Sequence, residues 1–460
     1  MRLISIDLGG RPSRRRRVVA MGLLAAGLGA CKTESLVDLR NPDLITGGVA
    51  RDPANIDQLY NGVLFEFGRA VSGAAATNDN PGIVGISGVM ADELWYASTF
   101  NTMQDIDRRS IADVSNSDLT LLFQRIHRAR NLADRAFEQL GTTGEGSSAR
   151  AAKMANLAGF SFLFLAENFC SGVPVSSTSL NGELVFGAPL TTQQLLDSAA
   201  ARFNTALTVA GTAGSSAEQN AARVGLGRAL LDGGNFAGAA SAVTAVPTSF
   251  VYNVSYSESS TGQNNGVWQH VNSERRSSPA SGEGVNGIVF FKRGASPNTI
   301  DPRVSVDSIG RGLGSQTVPF YAERKYNTRG ASIPLATGIE ARLIEAEAAL
   351  SKGSSTNYLT TLNSLRASGG VSGTLTDPGN ANARVRQFFQ ERAFWLWLTA
   401  HRLSDLRRMV RQYGFSAESV FPTGQTIFGA PYGTDVNLPI PFQEQNNPSD
   451  TTGQCIDRNA

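Results

Sequence analysis

The sequence predicts a mainly α-helical protein, in which paired helices form an α-α superhelix and a loop-rich half carries a few short strands. Two observations predict this class. Over much of the chain, apolar residues recur at gaps of three and four, the spacing that places them on one helix face. Between residues 247 and 333, Gly, Ser and Asn are frequent and only short β-type runs occur. With 460 residues, 41% of them hydrophobic, the chain can bury a large core.

The N-terminal segment has the layout of an export signal. The basic run Arg14–Arg17 precedes the apolar stretch Val18–Leu28, which is much shorter than the ~20 residues that span a bilayer as a helix. Leu-Gly-Ala-Cys, ending at Cys31, resembles the lipobox of bacterial lipoproteins, in which the cysteine becomes the first residue and carries acyl chains. We therefore expect a cleaved signal peptide over residues 1–30, lipidation at Cys31 and a tether over residues 31–45. The alternative is an ordinary secretory signal with a chance cysteine.

The charge balance gives no reason to expect a nucleic-acid partner. The formal net charge of the whole chain is +2, from 41 basic and 39 acidic residues. Residues 1–30 contain six Arg and one Asp, so their removal leaves 35 basic and 38 acidic residues. Nucleic-acid binding usually needs a basic face. The mature chain is near neutral, so we predict a different kind of partner.

Two cysteines remain in the mature chain, Cys170 and Cys455. Disulfides persist in exported proteins, so this pair predicts one bridge that closes a very long loop. In the chain-entropy model such a bridge contributes about 4–5 kcal/mol. Two buried free thiols are the alternative. The spacing does not fit a Cys-x-x-Cys zinc site, and we predict neither a metal site nor a cofactor.

The helical pattern begins after the tether, and we expect residues 46–460 to form a single domain. The first predicted helix is Ile56–Phe67, whose apolar residues lie on one face. Asp57 lies in its first turn, where a carboxylate interacts favourably with the helix dipole. Further predicted helices follow in order: Gly82–Trp95, Ser117–Leu140, Ala151–Phe169, Thr192–Val209, Ser216–Gly233, Asn235–Ala245, Ile339–Ser351, Tyr358–Ala367 and Asn382–Tyr413. The last is apolar around most of its circumference, which is typical of a buried helix.

Helices within residues 117–246 have small residues at their contact positions. Ala221, Gly225 and Ala229, followed by Asn235-Phe236, resemble the helix–turn–helix of a tetratricopeptide repeat. In such repeats, stacked helix pairs bury a shared core. We predict tetratricopeptide-like (TPR-like) packing here, with C-terminal helices at about 338–413. A generic helical bundle is the alternative.

Ligand capture would need exposed aromatic faces beside planar polar groups, since sugar rings stack on aromatic rings and their hydroxyls pair with polar side chains. Two stretches offer this combination outside the predicted helical core, one near residue 95 and one in the loop-rich insert at about 247–333. Long irregular segments of this kind are often functional. The candidate ligand-binding residues are Trp95, Tyr96, Asn101, Tyr252, Tyr256, Asn264 and Trp268. The alternative is that these aromatic residues only pin loops to the core.

Three stretches together resemble the SusD/RagB family of outer-membrane nutrient-binding lipoproteins. Phe160–Pro174 looks like the family's aromatic helix that ends in a Gly-x-Pro turn. Glu391–Arg408 resembles its helix with Glu-Arg, an aromatic run, His-Arg and Asp-Leu-Arg-Arg, and Leu438–Pro448 resembles its closing segment. The aromatic run of the second stretch is more apolar than expected, and the Cys170/Cys455 pair is not general in the family.

The resemblance implies an α-helical lipoprotein that faces the cell exterior and is anchored in the outer membrane through Cys31. It further implies that the protein captures a glycan or peptide-like ligand and delivers it to a TonB-dependent β-barrel transporter of the SusC type. Residues with ion-pair spacing in Glu391–Arg408 are expected to be structural.

Catalytic motifs of the common hydrolases, zinc proteases and nucleotide-binding enzymes do not occur in the sequence, so we predict no enzyme and no catalytic residues. Two alternatives to nutrient binding remain. One is a TPR-type scaffold or assembly lipoprotein that binds only protein partners. The other is a surface glycan hydrolase built on paired carboxylates such as Asp92 and Glu93.

Overall fold

The computed structural model describes residues 55–75, 80–112, 115–179, 183–294, 296–312, 318–450 and 454–460. They all lie within one compact unit, Gly47–Ala460. The predicted signal peptide, the lipidated Cys31 and the tether lie outside the described residues. No helix in the described ranges is both long and apolar enough to cross a membrane.

The described residues form thirteen α-helices, and the predicted fold class is confirmed. The helices are α1 (Ile56–Ser72), α2 (Gly82–Met90), α3 (Asn101–Asp107), α4 (Ser117–Thr142), α5 (Ala149–Asn168), α6 (Thr192–Thr212), α7 (Ser216–Asp232), α8 (Phe236–Val243), α9 (Gly266–Trp268), α10 (Gly338–Ser351), α11 (Ser355–Ser368), α12 (Ala381–Trp395) and α13 (Arg402–Tyr413). Neighbouring helices from α4 to α8 pack in sequence order, as expected for stacked helix pairs.

The strands are short and pair in six antiparallel two-stranded ladders: β1–β7, β2–β5, β3–β4, β6–β12, β8–β9 and β10–β11. Their bounds are β1 (Leu94–Tyr96), β2 (Val173–Pro174), β3 (Ser177–Thr178), β4 (Leu184–Val185), β5 (Pro189–Leu190), β6 (Val251–Val254), β7 (Ser277–Pro279), β8 (Phe291–Lys292), β9 (Asn298–Thr299), β10 (Val306–Arg311), β11 (Pro319–Glu323) and β12 (Ile333–Thr337). Seven of the twelve belong to the loop-rich middle of the chain. Of the six ladders, β1–β7 joins the irregular half to the chain after α2, and the other five pair strands that are close in the chain or lie within the irregular half.

Small residues let the paired helices approach closely, as the sequence predicts. A Cβ atom added to Gly159 on α5 or Gly225 on α7 would lie 2.8 and 2.3 Å from the ring of Phe203 on α6. The helix starts are also set locally. Asn116 accepts hydrogen bonds from the first backbone N–H groups of α4, and Thr191 forms a capping box at α6. Side-chain caps thus fix where these helices begin, and glycine contacts set their spacing.

One predicted helix ends earlier than the sequence indicates, and another is interrupted. Gly82–Trp95 is helical only to Met90, after which Asp92 has a positive φ of 56° and β1 begins. Asn382–Tyr413 is two helices, because the chain breaks after Trp395 and restarts at Arg402. Residues in the break adopt left-handed backbone conformations that a continuous helix excludes.

The C-terminal residues lie against the end of α5. Cys170 and Cys455 are joined by a disulfide, with Cα atoms 5.7 Å apart. Beside it, Ser171 pairs antiparallel with Asp457, and the Ser171 N–H donates to the Asp457 carbonyl at 3.0 Å. The bridge therefore connects the last described segment to the core of the helical scaffold.

Candidate functional site

The β1–β7 ladder brings the loop-rich half against the stretch near residue 95. Trp95 lies opposite Ser278 and Tyr96 opposite Ser277 in this pairing. The chain just before β7 is thereby placed beside the start of α3. As a result, side chains about 180 residues apart in sequence line one cavity.

This cavity, here called the Tyr96 pocket, has a volume of about 250 Å³. Its walls come from β1, α3, α4 and the segment before β7. The lining residues are Pro81, Tyr96, Phe100, Thr102, Met103, Ser117, Asp118, Leu121, His270 and Arg276. Phe100 is 52% exposed, so its ring offers an apolar face at the surface, and Asn101 beside it is also exposed.

A cation sits over the exposed ring. The guanidinium carbon of Arg276 lies 5.0 Å from the centroid of the Phe100 ring, and its Nε lies 2.7 Å from a carboxylate oxygen of Glu274. Cation–π contact and the ion pair hold the guanidinium beside the ring. The pocket thus combines an aromatic face with planar hydrogen-bond donors.

The other polar groups of the pocket are held in place by hydrogen bonds. The Thr102 hydroxyl donates to the Asp118 carboxylate at 2.5 Å, and the Asn116 amide donates to the Thr102 carbonyl at 2.8 Å. Burial raises the pKa of Tyr96 to about 12, so its phenol stays neutral at physiological pH. The lining therefore includes a carboxylate, a hydroxyl and a phenol, the kinds of group with which sugar hydroxyls pair.

Comparison with solved structures shows what this arrangement of helices and loops is similar to. A SusD-like carbohydrate-binding protein from Bacteroides fragilis superposes with a TM-score of 0.64 and 15% identity, over 87% of this chain and 99% of that one. A SusD superfamily protein from Bacteroides vulgatus superposes with a TM-score of 0.60 and 15% identity, over 88% of this chain and 99% of that one. The chain has the SusD fold.

A surface glycan-binding protein from Bacteroides uniformis is similar to this SusD-fold chain at 12% identity, with a TM-score of 0.58 over 86% of this chain and 98% of that one. A laminarin-binding SusD-like protein is 14% identical and superposes with a TM-score of 0.55, over 87% of this chain and 99% of that one. No protein-family model matches the sequence, and no curated protein matches it either. The likeness is therefore one of fold.

Within the SusD fold, the first group of predicted residues is divided. Trp95 is 5% exposed, with its ring packed near Tyr321 and beneath the guanidinium of Arg293. The prediction placed this ring outside the core, but the structure places it inside. Tyr96 lines the pocket from a buried position, and Asn101 begins α3 at the surface. The strand pairing of β1 buries both ring-bearing residues.

The second group of predicted residues does not converge on the Tyr96 pocket. The Tyr252 hydroxyl donates to Glu218 on α7, and the Asn264 amide donates to the carbonyls of two nearby serines in its own loop. Tyr256 donates to the Gly68 carbonyl and lines a separate cleft of about 440 Å³. Trp268 is half-buried, with a neighbouring arginine over its ring. Tyr252 and Asn264 therefore act as loop anchors, the alternative that the sequence left open.

Sequence reasoning missed the most exposed ring of the pocket, Phe100, as well as Asp118 and Arg276. Phe100 lies directly before Asn101, so the residue pattern itself offered a signal. The contributions of His270 and Arg276 depend on the β1–β7 pairing, which a single sequence does not reveal.

The charged residues of Glu391–Arg408 belong to the scaffold rather than to the pocket. Arg392 pairs with Asp405 at 2.8 Å, and Arg402 pairs with Glu283. His401 lies 3.1 Å from the Glu340 carboxylate, and burial lowers its pKa. These groups are buried and paired with one another. Within the described ranges, no cluster of three or more His, Cys, Asp or Glu side chains could hold a metal ion.

Proposed function

We propose that this SusD-fold protein is a cell-surface, glycan-binding lipoprotein of the SusD/RagB family that captures an oligosaccharide in the Tyr96 pocket. The observation that carries the proposal is the exposed Phe100 ring with Arg276 over it and Asn101 beside it. An aromatic face supports the C–H face of a sugar ring, while guanidinium and amide groups pair with its hydroxyls. Several proteins with this fold are described as carbohydrate- or glycan-binding, one of them as laminarin-binding, which supports the assignment.

The proposal includes an anchor and a transport partner. Cys31 would carry the lipid after cleavage of the signal, and two or more acyl chains would hold the protein stably at the outer membrane. The bound ligand would pass to a TonB-dependent barrel of the SusC type, as the family resemblance implies. The protein would act by binding alone, without a cofactor.

Phe100→Ala should weaken oligosaccharide binding about tenfold, because truncation removes the apolar platform under the sugar ring. A glycan array that includes laminarin would select the oligosaccharide, and isothermal titration calorimetry would measure its affinity. Phe428→Ala is the matched control, since Phe428 is 42% exposed and does not line the pocket. Equal affinities for the wild type and both variants would reject the Tyr96 pocket as the glycan site.

Cys31→Ala should abolish co-purification of the protein with a TonB-dependent barrel from gently solubilised outer membranes. The variant loses the acylated residue and therefore its membrane anchor. Mass spectrometry of tagged wild type and variant would quantify the barrel. A wild-type protein recovered alone, or only with periplasmic assembly proteins, would contradict the transporter partnership and favour the scaffold alternative.

A further inference from the structure

The first helix, α1, exposes two adjacent apolar side chains. Leu64 and Phe65 are each 37% exposed, and within the described ranges they are the only exposed large apolar residues that lie in an α-helix. The other helices keep their large apolar side chains buried or partly covered, as expected when helices bury one face in a shared core. Packing of the core therefore does not account for this pair.

Both side chains line a cleft, here called the Phe65 cleft, which has a volume of about 440 Å³. One wall is α1 and the other is the loop of residues 255–263. Polar lining groups come from both walls: Asn61, Arg69, Ser255, Ser257 and Gln263. None of the residues that line this cleft lines the Tyr96 pocket. The cleft is therefore a separate place for a ligand to bind.

The loop wall of the cleft is held against α1 by hydrogen bonds. The Tyr256 hydroxyl donates to the Gly68 carbonyl on α1 at 2.9 Å. Just beyond the end of α1, the Ala75 N–H donates to the Thr261 carbonyl of the loop at 3.1 Å. Both parts of the loop are thus tied to the helix. A ligand would meet a preformed cleft and would not have to order the loop, which lowers the cost of binding.

The Phe65 ring is the aromatic surface of this cleft. Arg69, one helical turn further along α1, places its guanidinium carbon 5.4 Å from the ring centroid. Gly262 of the loop lies close to the ring, because a Cβ atom added to it would be 3.4 Å from two ring carbons. Phe100 and Arg276 form a similar pair in the Tyr96 pocket, with a distance of 5.0 Å. The chain therefore places an exposed ring and a guanidinium together in both cavities.

Two amide groups share the cleft with the Phe65 ring. Asn61 on α1 and Gln263 on the loop are exposed, and neither side chain forms a hydrogen bond with another described residue. A carboxamide both donates to and accepts from hydroxyl groups, and an aromatic ring supports the C–H face of a sugar. A sugar ring would use both kinds of surface, whereas an apolar protein segment would leave the amides unused.

We propose that the Phe65 cleft is a second oligosaccharide-binding site, in which the Phe65 ring supports a sugar ring and the Asn61 and Gln263 amides pair with its hydroxyls. The inference rests on the proposed function for its class of ligand, but it does not depend on the Tyr96 pocket. A chain with two such sites binds two short oligosaccharides, so the binding stoichiometry distinguishes the proposal from a single site.

A glycan array and calorimetry on the purified chain test the proposal with the wild type, Phe65→Ala, Phe100→Ala and the double variant. The array carries trisaccharides of laminarin, starch, xylan and galactan, and calorimetry uses the one that the wild type binds best. The wild type should bind two trisaccharides per chain. Each single variant should keep one site unchanged and weaken the other about tenfold, and the double variant should weaken both.

Controls separate the loss of a contact from a loss of folding. Phe442→Ala should bind like the wild type, because Phe442 is 48% exposed and lines neither the Phe65 cleft nor the Tyr96 pocket. Asn61→Ala together with Gln263→Ala should weaken the site that Phe65→Ala weakens, by about threefold or more. Thermal melting of these variants should match that of the wild type, since the replaced side chains lie at the surface.

The outcomes that contradict the two sites differ. A single site that Phe65→Ala leaves unchanged, or that both phenylalanine variants weaken, would overturn the Phe65 cleft as a second site. A single site weakened only by Phe65→Ala would support this cleft and reject the Tyr96 pocket. A wild type that binds no trisaccharide would overturn both. Unchanged trisaccharide binding by Phe65→Ala, together with loss of a co-purifying membrane protein, would assign the cleft to a protein partner and overturn the sugar.

Discussion

Arg408→Met should lower the free energy of unfolding by about 3–5 kcal/mol. Arg408 on α13 is fully buried and contacts carboxylates on three helices. It donates to Glu347 on α10 and, at 2.8 Å, to Asp405 on its own helix, and its Nε lies 3.1 Å from Asp232 on α7. Methionine fills much of the volume but leaves these buried carboxylates without their common cation.

The pKa of Asp405 shows how strongly the cations act at this site. Burial raises the pKa of this carboxyl, but the charges of Arg392 and Arg408 outweigh that effect and lower it to about 2. In the variant, Arg392 still pairs with Asp405, whereas among the described residues Glu347 keeps only the Tyr413 hydroxyl, 3.0 Å away. The loss therefore falls mainly on Glu347 and Asp232, and with them on the contact between α7, α10 and α13.

Urea unfolding followed by circular dichroism would measure the loss. Arg324→Ala is the control, because Arg324 forms an ion pair with Asp307 at 2.6 Å whose side chains are 40% and 61% exposed. Solvent-exposed ion pairs contribute at most about 1 kcal/mol to the free energy of unfolding. A loss for Arg408→Met no larger than that for Arg324→Ala would show that the buried network does not hold these helices together.

Helix positions were predictable from sequence where apolar periodicity and capping residues agree. Ser117–Leu140 was predicted and Ser117–Thr142 is observed, with Asn116 as the cap that marks the start. The same holds for Thr192–Val209, which begins at the capping Thr191 and continues to Thr212. Such signals are local, so one sequence suffices to identify them.

The break between α12 and α13 could not be predicted, because distant residues stabilise it. Leu398 and Ala400 have φ values of 54° and 62° inside an apolar run that looks helical. The Leu398 N–H donates to Glu93 at 2.9 Å, and the Tyr326 hydroxyl donates to the Leu398 carbonyl at 2.7 Å. These hydrogen bonds replace those of the interrupted helix. They come from residues more than 70 positions away, which periodicity does not detect.

The ligand site near residue 95 remains a prediction, and the structure shows which residues of that stretch line a cavity. The stretch near residue 95 does line a cavity, yet pairing of β1 with β7 turns Trp95 inward, while Phe100 beyond the strand remains exposed. Aromatic residue type alone does not distinguish a core ring from a binding ring. That distinction depends on strand pairing, and the pairing partner lies in an irregular segment without strong pattern.

Removal of the disulfide by Cys170→Ser together with Cys455→Ser should lower the free energy of unfolding by about 2–5 kcal/mol. The bridge joins residues 285 positions apart, so its loss releases a very long loop in the unfolded chain. The folded C-terminal segment keeps other contacts. The Asn437 amide donates to the carbonyls of Arg458 and Asn459 at 2.9 and 2.8 Å, and Arg458 pairs with Asp435 at 2.8 Å. The cost should therefore arise mainly in the unfolded state.

Urea unfolding with and without dithiothreitol separates this effect from damage to the native state. The wild type should lose stability on reduction by the same amount that the double variant loses, and the double variant should not respond to the reductant. A wild type whose unfolding midpoint is unchanged by reduction would show that the bridge does not restrict the unfolded chain. If the double variant instead lost more than the reduced wild type, the serines themselves would disturb the buried end of α5, where Cys170 is fully enclosed.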